Sequence, residues 1–138
     1  MEECIFCKIV AKQMPADIVY EDERFIAFLD IHPAAKGHSL VVPKKHASDL
    51  NDLGEPELSQ FAGVVQRVAR AIKEVTKCDG INILMNNGRA AGQIIFHAHC
   101  HIVPRFHGDG ISFRISRARY EEGEAAEIAK KILEATKQ

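Results

Sequence analysis

No apolar run in the 138-residue chain can cross a bilayer. The longest, such as Ser39–Pro43, falls far short of the roughly 20 residues a spanning helix needs. The N-terminus, MEECIFCKIV, opens on two acids and lacks a basic n-region, so it does not read as a secretory leader and the expected location is the cytoplasm. Neither sign of charge dominates. Lys and Arg number 18 against 19 Asp and Glu, which gives no electrostatic case for a nucleic-acid partner. Four cysteines in a reducing compartment do not make a disulfide framework. Repeats, low-complexity tracts and linkers are also missing. What remains is a chain of single-domain length, 46% hydrophobic and 27% charged, the ordinary balance of a globular protein with one core.

The apolar periodicity predicts an α+β chain. Residues 5–12 form a short helix with Ile5, Phe6 and Ile9 on one side, stopped by Pro15. Residues 18–21 and 25–30 are β-branched and aromatic, with Asp22-Glu23 as a hairpin turn. Residues 38–43 read as a third strand. From Glu55 to Lys77, Leu58, Phe61, Ala62, Val65, Val68, Ala69, Ile72 and Val75 keep three-and-four spacing. That long helix has Pro56 in its first turn and Gly80 at its end. Strands at 81–86 and 94–104 follow, joined by the loop 87–93, and a last helix covers 121–136. Short connections between consecutive strands imply an antiparallel sheet with helices packed to one side.

The most informative stretch is Phe96-His97-Ala98-His99-Cys100-His101-Ile102-Val103. In a strand, His97, His99 and His101 share one face, about 7 Å between successive α-carbons, while Phe96, Ala98, Cys100 and Ile102 share the other. Three imidazoles so close together cannot all be cationic, so at least one is neutral near pH 7. Its free lone pair then serves as nucleophile, base or metal ligand. A solvated His-rich edge strand or a metal patch would also fit the pattern alone. Upstream lies Asn86-Asn87-Gly88-Arg89-Ala90-Ala91-Gly92-Gln93, a Gly-containing loop able to offer amide donors to phosphate oxygens.

With these segments in view, the chain resembles the histidine-triad (HIT) family. HAHCHIV meets the His-φ-His-φ-His-φ-φ pattern, and IFCKI, FLDIHPAAKGHSLVVPKKH and NNGRAAGQIIFHAHCHIVP extend the likeness from about Ile5 to Pro104. The resemblance implies an α+β HIT-like fold: an antiparallel sheet with one long helix, short flanking helices and a two-fold homodimer. One domain would span 1–138, with a core at about 4–106 and a C-terminal helical extension at about 117–137. It also implies hydrolysis or transfer at the α-phosphate of a purine, usually adenosine, nucleotide. Candidate substrates are nucleoside phosphoramidates or, alternatively, dinucleoside polyphosphates; a nucleotide-binding interaction module with little catalysis is the reading from another class.

Carried over residue by residue, the resemblance makes His99 the nucleophile that forms a nucleotidyl-histidine, with His101 and His38 beside the phosphate. Asn86, Gly92 and Gln93 would hold phosphate oxygens, and Asp30 the ribose hydroxyls. Ile5, Phe6, Ile9, Phe28 and Ile31 would form the slot for the base, although each also suits plain core. One position departs from the pattern. Many relatives carry Ser or Thr directly after the Gly-Gln pair, where this chain has Ile94, so one phosphate contact is missing.

Cys4-Ile5-Phe6-Cys7 is a C-x-x-C pair without the βαβ surroundings of a redox motif. It could equally be two unrelated buried thiols. The family resemblance favours structural zinc held by Cys4, Cys7, His46 and His97, with no metal required for the chemistry. Cys78 and Cys100 read as helix-end and core residues.

Overall fold

Phe25–Leu29 and Ser39–Pro43 are nearly continuous apolar runs, and such strands need cover on both faces. The computed structural model, which describes residues 3–137, provides that cover. Its elements are α1 (Ile5–Val10), β1 (Ile18–Glu21), β2 (Phe25–Leu29), β3 (Ser39–Pro43), α2 (Glu57–Thr76), β4 (Gly80–Leu84), β5 (Cys100–Arg105) and α3 (Glu124–Ala135). The five strands form one sheet in the order β1-β2-β3-β5-β4, every neighbouring pair antiparallel.

Alternation divides the core in two. Phe25, Ala27, Val41, Cys100 and Ile102 face α2 and meet Phe61, Val64, Val65, Val68, Ala69 and Ile72. Ile26, Phe28, Leu40 and Val42 face the other way and meet Phe6 and Ile9 of α1. Helices therefore cover both faces, not one as the sequence suggested. A six-residue helix cannot stand alone in water, so α1 exists because the sheet and its own side-chain ties hold it.

Several expected boundaries shift for local reasons. The first helix ends well before Pro15, because Lys12 takes a left-handed φ of 61° and the chain reverses there. The long helix ends at Lys77, left-handed at φ 59°, while Gly80 opens β4 and pairs with Arg105. On α2, Leu58, Ala62 and Val75 lie outside the buried stripe and Val64 joins it. The predicted strand at 94–104 is the largest discrepancy. Pairing begins only at Cys100, and residues 94–99 form an irregular approach to the strand. The extension beyond residue 111 runs exposed to α3, where Ile128, Ile132 and Leu133 are also exposed.

Candidate functional site

The irregular approach to β5 separates the three histidines. His97 is fully buried and turns toward α1, whereas His99 and His101 lie at a cleft on the α1 side of the sheet. Phe6 stands between the two groups. Its ring meets His97 edge-on at 6.0 Å, His99 at 5.2 Å and Phe28 at 5.3 Å. Phe96, expected to share the core face with Ala98 and Cys100, is exposed instead and stacks under Arg89.

Burial holds His38, His97 and His99 below the ordinary imidazole pKa, and His101, further opposed by its neighbours His99 and His38, falls to about 4. All four are neutral at pH 7, and their hydrogen bonds then fix which nitrogen carries the proton. His99 Nδ1–H donates to the carbonyl of His97 at 2.7 Å, leaving its Nε2 lone pair free. His97 Nε2–H donates to the carbonyl of Pro43 at 2.7 Å, leaving Nδ1 free. The Ala34 N–H donates to His38 Nδ1 at 3.0 Å, so His38 Nε2–H donates to His101 Nδ1, also at 3.0 Å. His101 therefore presents Nε2–H. The Asp30 carboxylate lies 3.6 Å from His38 Nε2 and accepts from the His32 N–H at 2.9 Å. Asp30, His38 and His101 thus converge as one cluster at the cleft, tied together by the His38–His101 hydrogen bond.

The cleft encloses about 540 Å³. At one end lie Ile5, Phe6, Ile9, Phe28 and Ile31, the five residues expected around the base. Met14, Leu40 and Ile95 also line it and were not singled out in the sequence, because nothing distinguishes them there from core. Asn86 and Gly92 reach the cleft, Gly92 with a left-handed φ of 96° that favours glycine.

Gln93 does not reach it. Its amide N–H₂ donates to the carbonyls of Ser48 at 2.6 Å and Ile95 at 3.0 Å, and its Oε1 accepts from the Gly88 N–H at 2.8 Å. Buried and fully bonded, Gln93 braces the loop. The Gly92 N–H is likewise taken by the carbonyl of Arg89 at 3.0 Å. Ile94 is 85% exposed and lines the cleft. Among the described residues, no acceptor takes its N–H.

Behind Phe6, four further donors converge. Cys4 Sγ and Cys7 Sγ lie 3.4 and 3.5 Å from His97 Nδ1, Cys7 Sγ lies 3.4 Å from His46 Nδ1, and the two Nδ1 atoms are 3.1 Å apart. A tetrahedron with zinc–nitrogen and zinc–sulfur bonds of ordinary length has edges of about 3.3–3.8 Å. The donor set thus fits zinc in number, type and spacing, and the free lone pair of His97 faces it. All four cysteines are free thiols, and burial beside Cys4 pushes the Cys7 thiol up to about 11. A metal would displace that proton. Cys78 and Cys100 are buried away from the site, as expected.

A sheet carrying a neutral, oriented imidazole beside an apolar cleft is the arrangement expected of a histidine-triad protein. The profile of the HIT domain matches residues 11–108, and the chain belongs to the HIT family. It is 50% identical over 107 residues to an uncharacterised HIT-like protein of Methanocaldococcus jannaschii, covering 78% of this chain and 82% of that protein. An adenylylsulfatase of Arabidopsis thaliana is 41% identical over 103 residues, 75% of this chain and 52% of that protein. Among solved structures, SMU.412c of Streptococcus mutans superposes with a TM-score of 0.92 at 40% identity, over 99% of this chain and 87% of that one. A zinc-bound histidine triad family protein of Mycobacterium smegmatis superposes at 0.77 with 44% identity, over 98% of each chain. The HIT fold expected from the sequence is therefore the observed one, and no helix among the described residues is long and apolar enough to cross a membrane.

Proposed function

We propose that the protein hydrolyses adenosine nucleotides at the α-phosphate through a nucleotidyl-His99 intermediate. The observation that carries this reading is the 2.7 Å contact of His99 Nδ1 with the His97 carbonyl: a carbonyl only accepts, so the neutral ring keeps its proton on Nδ1 and Nε2 is an unprotonated nucleophile. The base lies against Ile9, Phe28 and Ile31, and Asp30 accepts from the ribose. The Nε2 lone pair forms a bond to phosphorus while the bond to the leaving atom breaks, its electron pair departing with the leaving group, which takes a proton from water. The His97 carbonyl stabilises the positive charge growing on His99. Asn86, the Ile94 N–H and His101 Nε2–H are the donors available to phosphate oxygens, in place of the Gln93 and Gly92 groups the sequence suggested. Water then cleaves the nitrogen–phosphorus bond and releases the nucleoside monophosphate.

The kinship to an adenylylsulfatase supports a reaction at an adenylyl group, and phosphoramidates are the substrates we favour. Dinucleoside polyphosphates are the second reading, supported by a cleft of about 540 Å³ that runs beyond the base slot to Leu84, Val103 and Phe113. His99→Ala removes the nucleophile and not the base slot, so turnover should fall to background while nucleotide binding persists. Substantial turnover by this variant rules out the intermediate.

Zinc at Cys4, Cys7, His46 and His97 belongs to the same proposal. It would supply no chemistry to the reaction; it would anchor α1, which carries Ile5, Phe6 and Ile9 of the cleft. A homodimer is proposed from the opposite side of the sheet. There β4 is an edge strand, and Leu58, Phe61, Val65, Ile81, Ile83 and Met85 line an apolar groove of about 660 Å³. Exposed apolar surface beside a sheet edge suits two-fold pairing.

A further inference from the structure

The base slot accounts for one end of the cleft only. At the other end the chain leaves β5, turns, and comes back over the same face of the sheet. Arg105 drives that return. It shares this face with His101 by alternation, and its guanidinium donates to both Asp109 oxygens at 2.8 and 2.9 Å, to Asn82 Oδ1 on β4 at 2.7 Å and to the carbonyl of Ile111 at 2.7 Å. Asp109 also accepts from the N–H groups of Phe106 and Ile111 at 3.0 Å each. With the turn so braced, Phe113 is set over the Arg105 guanidinium, 5.5 Å from ring centroid to Cζ, and lines the cleft together with Leu84, Val103 and Ile94.

We infer that Phe113 is a specificity-determining residue that forms a leaving-group subsite for a planar aromatic group. This rests on the proposed chemistry at His99. The base slot is built on α1 and β2, Phe113 stands over β4 and β5, and His99 and His101 lie between. A nucleotide with its base in the slot and its α-phosphorus at His99 directs its leaving group toward Phe113. One side of the ring is backed by a cation that four hydrogen bonds hold still, and the ring remains 46% exposed. A rigid, supported aromatic face with apolar neighbours is a stacking platform, sequence-tolerant and selective for flat groups. A phenylalanine that merely shielded the Arg105 turn would have no reason to line the cleft.

Two substrate types carry such a group: an adenosine phosphoramidate of an aromatic amine, and a dinucleoside polyphosphate with its second base. Two matched pairs separate them. The first compares the unsubstituted adenosine phosphoramidate with its indolylethyl-amine counterpart. The second compares adenosine triphosphate with diadenosine triphosphate. The wild type should prefer the aromatic member of at least one pair in kcat/KM. Phe113→Ala should lower that preference about tenfold, within the range for stacking on a protein aromatic, and Phe113→Tyr should keep it. The pair that responds names the source of the aromatic group. A preference unchanged in Phe113→Ala, or equal losses on both members of a pair, overturns the subsite. If the wild type turns over none of the four, the catalytic reading fails, and calorimetry decides the subsite separately. Diadenosine triphosphate should then bind more tightly than adenosine monophosphate, with that advantage lost in Phe113→Ala; no advantage in the wild type refutes the subsite as well.

Discussion

Ile94→Ser tests whether the missing hydroxyl of this family member limits its rate. From the sequence, Ile94 could be a strand residue in the core, where shortening it would cost stability without any gain in rate. The structure removes that alternative. No strand exists at 94, and the side chain is 85% exposed at the cleft. With so little surface buried, the stability change should stay within about 0.5 kcal/mol. The new hydroxyl would sit where the loop already offers the Ile94 N–H to phosphate. A hydrogen bond to a charged group contributes about 1.5–3 kcal/mol. If it forms chiefly in the transition state, this is a tenfold to roughly hundredfold gain in kcat. The assay is steady-state hydrolysis of an adenosine phosphoramidate, alongside calorimetric melting. Ile94→Ala serves as the control that removes the aliphatic bulk without adding a donor. A rate for Ile94→Ser no higher than that of Ile94→Ala refutes the reasoning. So does a melting temperature lowered by several degrees, which would mean that Ile94 is packed after all.

Metal analysis of purified protein should find about one zinc per chain, and chelation should expose α1 to proteolysis and weaken nucleotide binding, since Phe6 and Ile9 would lose their anchor. Retained affinity and an intact N-terminus in zinc-free protein would refute the anchoring role. Stability should fall as pH drops below the ordinary imidazole value of about 6.5. The unfolded chain then binds protons that buried His38, His97, His99 and His101 refuse. For His101 the loss continues down to about 4 and reaches on the order of 3 kcal/mol. Melting temperatures measured from pH 7 to 4.5 check this, and His101→Asn should flatten the slope; equal slopes in both proteins contradict it. Ile83→Arg places a charge in the groove beside β4, 53% exposed in the single chain. Light scattering should report a dimer for the wild type and a monomer for this variant, and a wild-type monomer at micromolar concentration rejects the proposed pairing.

Much of the site could be read from the sequence because its chemistry is local. The strand pattern of 97–101, the C-x-x-C pair and the Gly-rich loop each bring reactive groups within a few residues of one another, and amphipathic spacing located α2. Long-range contacts were legible only through resemblance. His46 and His97 lie 51 positions apart, yet their Nδ1 atoms approach to 3.1 Å, and no periodicity encodes such a meeting. Tertiary packing also decided what the local pattern got wrong. Alternation placed three histidines on one face, but residues 94–99 are not paired, so His97 could turn toward the cysteines while His99 faced the cleft. Gln93 looked like a phosphate donor by residue type; Ser48 and Ile95, brought close by folding, took both its N–H groups. Phe113 carried no signal in the sequence, because its place depends on a turn held by Arg105, Asp109 and Asn82. Sequence alone determined which groups can react. Which nitrogen is free, which amide is spent and which aromatic reaches the cleft were decided by the fold, since each depends on partners far away in the chain.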